Sequence, residues 1–159
     1  TSKVYMKNLY VSGTPQFAGT FGVRYFIDYW FLGANLNAFG RNYIDVAPAR
    51  RMEGIYNTVD PTLPETMDTY YAMTTQERIG SACTLDLSVG KIFYLRNRQS
   101  INFNLSVNNV LNKRDIRTGG YEQARVFASD GALVNPALFP NKYYYMQGIN
   151  CFANISYRF

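Results

Sequence analysis

The fold of this chain is decided by its C-terminal stretch, which reads Ile149-Asn150-Cys151-Phe152-Ala153-Asn154-Ile155-Ser156-Tyr157-Arg158-Phe159. Apolar or aromatic side chains occupy every second position, and most of the residues between them are polar. This period of two is that of a β-strand with one apolar and one polar face. The alternation continues back to Tyr145 and Tyr143, which predicts one strand over residues 141–159. Soluble sheets usually have strands of about 5–6 residues, whereas a tilted strand of about 9–11 crosses a bilayer, so the length favours a transmembrane strand.

The same alternation recurs upstream, for example in Leu85–Gly90 and Ile101–Asn108. Asparagine, serine and glycine fill the second face, which is typical of a strand that faces a wet interior. A strand in a soluble sandwich would also alternate, but a sandwich does not explain strands of this length. The pattern predicts strands over residues 3–12, 16–26, 29–45, 78–96, 99–113 and 141–159.

The connections between these strands alternate in length. Tight turns are expected at Ile27-Asp28 and at Arg96–Gln99, and long loops near residues 46–77 and 114–140. Short periplasmic turns opposite long extracellular loops are typical of outer-membrane barrels. About six strands are too few to close such a barrel, because the smallest have about eight. The sequence therefore predicts an all-β fold, namely an antiparallel segment of a transmembrane β-barrel that other strands complete.

The composition agrees with a barrel and argues against an enzyme. Aromatic residues make up 16% of the 159 positions and charged residues only 17%, and rings near strand ends suit the aromatic girdles of a barrel. We assign Trp30, Phe93, Tyr143 and Tyr145 to these girdles. The chain has no histidine, which removes Ser-His and Cys-His catalysis and most zinc sites. We therefore expect no catalytic residues, no metal and no cofactor, and we expect Cys83 and Cys151 to be free thiols.

Several segments resemble the C-terminal barrel of TonB-dependent outer-membrane receptors of Bacteroidota. They are Tyr29–Asn35 with Tyr43–Val46 and Arg50-Arg51, then Leu105–Asn112, Gly119–Gln123, Asn141–Tyr145 and Asn154–Phe159. The resemblance implies an N-terminal plug domain, a TonB box and a barrel of about 22 strands. The present strands would be the last of these, and the plug and TonB box would lie outside this chain.

The resemblance also implies a function, a location and partners. The implied function is active uptake of a metal chelate, an oligosaccharide or a peptide across the cell outer membrane. The partners would be the rest of the barrel and its plug, outer-membrane lipid and lipopolysaccharide, the TonB complex through the missing N-terminal region, and the barrel assembly machinery. A surface lipoprotein is a further partner that the resemblance leaves open. The net charge of +5 is compatible with anionic lipid, and we expect no nucleic acid. The alternative is a structural, adhesion or secretion-associated barrel without transport.

Two groups of residues are the candidate sites. Phe159, with Tyr157, resembles the C-terminal signal that the assembly machinery reads, although Phe159 can also serve simply as a girdle residue. The long loops would meet the ligand, and the alternative is that their side chains are ordinary solvated residues. The candidates there are Arg50, Arg51, Tyr56, Tyr70, Tyr71, Tyr121, Glu122 and Arg125.

Overall fold

The computed structural model describes residues 1–125, 128–129, 132–133 and 138–159. Its strands are β1 (Phe17–Ile27), β2 (Trp30–Gly40), β3 (Asn42–Tyr43), β4 (Arg78–Ile79), β5 (Ala82–Tyr94), β6 (Ser100–Asn108), β7 (Arg117–Tyr121), β8 (Ala128–Ser129), β9 (Ala132–Leu133), β10 (Lys142–Tyr145) and β11 (Asn150–Arg158). Its helices are α1 (Glu53–Tyr56), α2 (Pro64–Thr74) and two 3-10 turns at Pro48–Arg51 and Arg96–Arg98. None of the helices within the described ranges is long and apolar enough to cross a membrane. The prediction of a mainly antiparallel all-β fold is confirmed.

The chain divides into two compact units. The sheet unit comprises Gln16–Gly40, Gly80–Ile116 and Tyr145–Phe159. The loop unit comprises Thr1–Pro15, Arg41–Ile79 and Arg117–Tyr144.

The sheet unit is built on five antiparallel strands in the order β1-β2-β5-β6-β11. The register places apolar residues opposite one another across the sheet, as in the row Tyr25, Leu32, Val89, Leu105 and Ala153. A neighbouring row places Arg24, Gly33, Ser88, Ser106 and Phe152 side by side. Because side chains alternate along a strand, the sheet has one apolar face and one mainly polar face. The five strands do not close into a barrel, and β1 and β11 are its edges.

Two tight connections lie at one end of this sheet, which we call the turn end. Asp28 (φ 45°) and Tyr29 (φ 64°) form a two-residue hairpin between β1 and β2, and positive φ at both positions is the mark of a type I′ turn. The Leu95 N–H donates to the Gln99 carbonyl at 2.8 Å across the β5–β6 connection. The turn at Arg96–Gln99 lies where the sequence predicted it, and the first turn lies one residue later than the predicted Ile27-Asp28.

The predicted single strand over residues 141–159 is wrong, because β10 and β11 are separate strands. β10 pairs with β7 in a two-stranded sheet, whereas β11 pairs with β6. The Asn112 carboxamide accepts a hydrogen bond from the Ile149 N–H at 3.0 Å, and it lies so close to Gly148 that a Cβ there would meet it. A side chain therefore holds the backbone where a strand partner would otherwise bind.

The predicted strand over residues 3–12 is also wrong. Only Val4 forms a β-bridge, with Met52. Further along, the side chain of Gln76 bonds both backbone groups of Tyr10, at 2.8 Å to its N–H and 3.0 Å to its carbonyl. The Gln76 amide thus takes the place of a neighbouring strand, which removes the need for a sheet partner.

The predicted strand over residues 16–26 is present at full length as β1, whereas those over 29–45, 78–96 and 99–113 are present but shorter than expected. Arg41 adopts a left-handed φ of 56° and ends β2, and Asn109 (φ 50°) does the same after β6. β3 pairs with β4 as a separate two-stranded sheet. The predicted loop 46–77 contains both α-helices, and the predicted loop 114–140 contains β7, β8 and β9, while part of it lies outside the described residues.

The loop unit has a small core of its own. The buried apolar side chains are those of Tyr43, Ile44, Ala47, Met73 and Ile79. Gly120 lies directly against the Lys142 carbonyl and Ile44, so that no Cβ fits there. This close approach allows the backbone of Asp45 to bond on both sides, to the Gly120 carbonyl at 2.8 Å and from the Glu122 N–H at 2.9 Å.

Candidate ligand-binding site in the loop unit

Arg51 and Glu122 form a buried ion pair at the centre of the loop unit. The two Nη atoms of Arg51 lie 2.5 and 2.7 Å from the two carboxylate oxygens of Glu122. Both residues are almost fully buried, at 2% and 5% exposure. Arg51 also donates to the carbonyls of Ala47 (3.2 Å) and Thr74 (2.6 Å), and Glu122 accepts from the Ala47 N–H at 2.9 Å. Both Nη groups of Arg51 and both carboxylate oxygens of Glu122 thus have hydrogen-bond partners, which a buried pair needs to offset its desolvation.

Arg50 is engaged in a similar way. Its Nε donates to the Gln123 carbonyl at 2.8 Å and its Nη2 to the Phe139 carbonyl at 3.0 Å. Burial lowers the pKa of the Arg50 guanidinium from its ordinary value, while Glu122 acts in the opposite direction and Arg51 lowers it further. An arginine remains charged despite such a shift, so Arg50 acts as a cation that ties two backbone segments together.

This geometry corrects the expected role of three candidate residues. Arg50, Arg51 and Glu122 are buried and their polar groups bind other parts of the loop unit. They are neither an accessible basic surface for a ligand nor solvated loop residues. Their role is to hold the segments that carry the exposed side chains.

The exposed rings of Tyr5, Tyr56 and Tyr71 and the half-buried ring of Tyr70 form a cluster nearby, which we call the tyrosine surface. Ring centroids are 5.5 Å apart for Tyr5 and Tyr56, 5.6 Å for Tyr56 and Tyr70, and 6.0 Å for Tyr70 and Tyr71. Tyr5, Tyr56 and Tyr71 are about half exposed, at 44%, 48% and 55%. Burial raises the pKa of the Tyr70 hydroxyl, and Tyr56 contributes in the same direction. The sequence singled out three of these rings and missed Tyr5, whose place is fixed by the backbone bond from the Tyr5 N–H to the Arg51 carbonyl at 2.9 Å.

The other loop candidates contact different rings. Tyr121 packs near Tyr144 with ring centroids 6.0 Å apart, and both rings are exposed. The Arg125 guanidinium lies 5.6 Å from the ring centroid of Phe139. Tyr121 and Arg125 therefore each have an aromatic partner of their own in the loop unit.

Tyr143 does not behave as a girdle residue. Its hydroxyl donates to the Glu77 carboxylate, at 2.8 Å for the shorter contact, and the Arg117 guanidinium lies 4.0 Å from its ring centroid. Asn141 also donates to Glu77, at 2.8 Å. Tyr143 thus belongs to a polar network in the loop unit, whereas Tyr145 is exposed at 54%.

The remaining girdle residues and the C-terminal pair lie in the sheet unit. Register places Trp30, Phe93 and Tyr157 on the apolar face toward the turn end. The Phe159 ring is 96% exposed and its centroid is 6.2 Å from that of Tyr157. Cys83 and Cys151 are free thiols, and the alternation places both on the apolar face.

The Asn109 turn is a feature whose role the sequence did not reveal. The side chain of Asn109 donates to the carbonyls of Lys113 (2.9 Å) and Gln147 (3.0 Å) and accepts from the Lys113 N–H at 3.1 Å. Asn109 and Asn112 are both left-handed, a conformation that asparagine tolerates well. Asn109 and Asn112 of the segment Asn108–Asn112 therefore have structural roles.

Comparison with known proteins adds no relative: no family model, curated protein or solved structure matches this chain. Within the described ranges, no three histidine, cysteine or acidic side chains come together as metal ligands.

Proposed function

We propose that this chain is the C-terminal barrel segment of a TonB-dependent outer-membrane receptor that takes up a metal chelate, an oligosaccharide or a peptide. The observation that supports this proposal best is the exposed apolar face of the five-stranded sheet. Phe21 and Ile155 are both 70% exposed, and Leu36 and Leu87 on central strands are 46% and 41% exposed. Each such side chain contributes about 1.5–3 kcal/mol when it is removed from water. A face of this size therefore needs a cover.

The strands of this face are long enough to cross the hydrocarbon core of a membrane, so lipid is a suitable cover for it. β1 and β2 have 11 residues each and β5 has 13, and about 9–11 tilted residues cross the hydrocarbon core. The edges β1 and β11 have unpaired backbone groups, which are very unfavourable in lipid. The proposal therefore requires further strands, as a barrel of about 22 strands would supply.

The polar face suits a wet interior. Thr20 donates to Asn37 at 2.7 Å, and Asn37 donates to Asp86 at 2.7 Å, so a hydrogen-bonded chain crosses three strands. Glycines lie under polar side chains of the neighbouring strand, in the pairs Gly22 with Asn35, Gly33 with Ser88 and Gly90 with Asn104. Polar side chains therefore lie over glycines of the neighbouring strand, and some of them bond to one another across the face. Such a face is better suited to contact with water or another polar surface than to a dry core.

The tyrosine surface is the part of the loop unit best suited to meet a nutrient. Tyrosine combines a flat apolar ring with a hydroxyl, and it loses little conformational entropy on binding. The buried Arg51–Glu122 pair fixes the backbone from which Tyr5 and Tyr56 project. Replacement of Tyr56 by alanine should therefore weaken nutrient binding without loosening the loop unit.

A labelling experiment tests whether lipid covers the apolar face. In native membranes of the producing cells and in a Cys83→Ala background, Cys151 should resist a charged maleimide, because lipid excludes the reagent and disfavours the thiolate that it attacks. Asn154→Cys, placed on the polar face of the same strand in a Cys83→Ala/Cys151→Ala background, should react with this reagent. Rapid reaction of Cys151 with the charged reagent would show that water reaches this face, and the barrel proposal would fail.

A second experiment tests the receptor proposal separately. The polypeptide is purified from its native membrane, its intact mass is compared with 18.2 kDa, and any residues before Thr1 are sequenced. A plug-like domain and a TonB box are expected. A membrane-embedded polypeptide without them, and without a second chain that supplies them, would favour a structural or secretion-associated barrel.

A further inference from the structure

Lys91 is the only charged side chain on the apolar face of the five strands, all of which the structure describes in full. The register places it between Trp30 and Phe103 in a row of otherwise apolar residues. Arg24, Asp86 and Arg158, the other charged residues of these strands, lie on the opposite face. A lone cation on an apolar face that lipid covers is costly unless its ammonium reaches the polar surface.

The surroundings of Lys91 show where its ammonium goes. The Nζ atom lies 4.3 Å from the ring centroid of Trp30 and 5.1 Å from that of Phe93. Phe93 is one row closer to the turn end, so the side chain extends toward that end, as a snorkelling lysine does. None of the ion pairs among the described residues includes Lys91. The two rings stabilise the Lys91 ammonium. Its positive charge remains available to an anion from outside the chain.

The turn end as a whole is basic. Beyond Lys91 it carries Arg96, Arg98 and Arg158, against one acidic residue, Asp28. This excess of positive charge surrounds the level at which a girdle of rings meets lipid head groups. The complementary surface is therefore an anionic one at the membrane interface.

We infer that Lys91, held between Trp30 and Phe93, binds the phosphate of an anionic phospholipid at the turn end of the sheet. This inference rests on the proposed membrane location. A lysine ammonium is a compact point charge with three donors and binds phosphate well. The bound lipid would fix the depth of the sheet in the bilayer.

The single tryptophan of this chain, Trp30, reports on this site directly. The complete protein is placed in phosphatidylcholine bilayers, after any tryptophan outside this chain has been replaced by phenylalanine. Brominated phosphatidylglycerol or brominated phosphatidylcholine is then added as a minor lipid, and quenching of Trp30 fluorescence gives the relative affinity of the two lipids. We expect a preference of about fivefold for phosphatidylglycerol.

Three variants decide whether Lys91 is responsible. Lys91→Gln should reduce the preference to a ratio near one, and Lys91→Arg should keep it. Arg24→Gln removes the same charge from the opposite face and should leave the ratio unchanged. If Lys91→Gln keeps the preference, the inference is wrong while the membrane location stands.

Two further outcomes have distinct meanings. If neither brominated lipid quenches Trp30 in the unmodified protein, this face does not contact lipid, and the proposed function fails together with the inference. Inorganic phosphate should not change Trp30 fluorescence in pure phosphatidylcholine bilayers. A saturable change that Lys91→Gln abolishes would identify a soluble phosphate compound as the ligand and overturn the lipid assignment.

Discussion

The sheet unit and the loop unit are held together by different kinds of interaction. In the sheet unit, long antiparallel ladders repeat the same backbone bonds, and the side chains sort into two faces. In the loop unit, a few individual side chains join segments that are distant in sequence, and Arg51 and Glu122 are 71 positions apart. The first kind of structure distributes its stability, whereas the second concentrates it at particular contacts.

This difference teaches where each unit is vulnerable. A side chain in the sheet is one of many in similar positions along the ladders. The effect of a substitution on the stability of the sheet therefore depends on what that face of the sheet contacts. A buried charged side chain in the loop unit has no substitute, because its partners remain buried when it is removed. The predictions below compare the two units from the largest expected effect to the smallest.

Arg51→Met should destabilise the loop unit by about 3–5 kcal/mol, because it leaves the Glu122 carboxylate buried and unpaired. The measurement is hydrogen exchange of the Asp45 amide, which bonds the Gly120 carbonyl inside the loop unit. The double variant Arg51→Met/Glu122→Leu should recover part of this loss, because no buried charge is left alone. Arg78→Met, at an exposed arginine of the same unit, is the matched control. Equal effects of Arg51→Met and Arg78→Met would contradict the role of the buried pair.

With the sheet in the membrane as proposed, Leu87→Arg should reduce its stability by about 2–4 kcal/mol, the cost of arginine on a lipid face near the bilayer centre. Ser88→Arg, one position along β5 and on the polar face, should cost much less. The folded fraction in outer-membrane preparations is measured for both by the mobility of unheated samples in gel electrophoresis. In a protein whose apolar face meets water, Leu87→Arg would instead be tolerated, so a reversal of the order would refute the lipid-facing assignment.

Asn109→Ala should destabilise the sheet unit by about 2–3 kcal/mol, because it removes three side-chain hydrogen bonds of about 1 kcal/mol each. Asn108→Ala is the natural control, since the Asn108 side chain is exposed and makes one side-chain bond, to Asn150 at 3.0 Å. Urea unfolding of the two variants measures the difference. Similar midpoints would show that the Asn109 turn contributes little.

The sequence was sufficient to locate the ladders of the sheet unit. The predicted strand over residues 16–26 corresponds to β1 at Phe17–Ile27, because alternation is a local property that any window of the strand contains. The breaks after β2 and β6 were missed, because the residues that adopt left-handed conformations there are Arg41 and Asn109 and not glycines, which favour this conformation. Helix α2 had a local signal in Pro64 followed by Glu65, which suits a first helical turn, but the long-loop prediction overrode it.

The candidate site was less accessible to prediction. Arg50 and Arg51 were predicted to be ligand-binding residues, but both are buried, and sequence alone cannot tell a buried arginine from an exposed one when its partner, Glu122, is far along the chain. Tyr5 was missed for the same reason, because only the pairing of residues 3–5 with 51–53 brings it to Tyr56. The alternation that predicts the ladders is local and periodic. The contacts of Arg51 and Tyr5 join residues that are far apart in the sequence and follow no period.

The smallest effect concerns Asp60, just before α2. The Thr62 hydroxyl (2.6 Å) and the Thr62 N–H (2.8 Å) both donate to its carboxylate, and these bonds lower the pKa of Asp60 below its ordinary value of 3.8. A carboxyl whose folded pKa is lowered stabilises the fold fully above its unfolded pKa. This contribution is lost as the pH falls through the lowered folded pKa. Carboxyl NMR titration should show that Thr62→Ala raises the pKa of Asp60, whereas Thr69→Ala leaves it unchanged. Since Asp60 is exposed, the shift should alter overall stability far less than Arg51→Met, which is the contrast expected between a solvated turn and a buried pair.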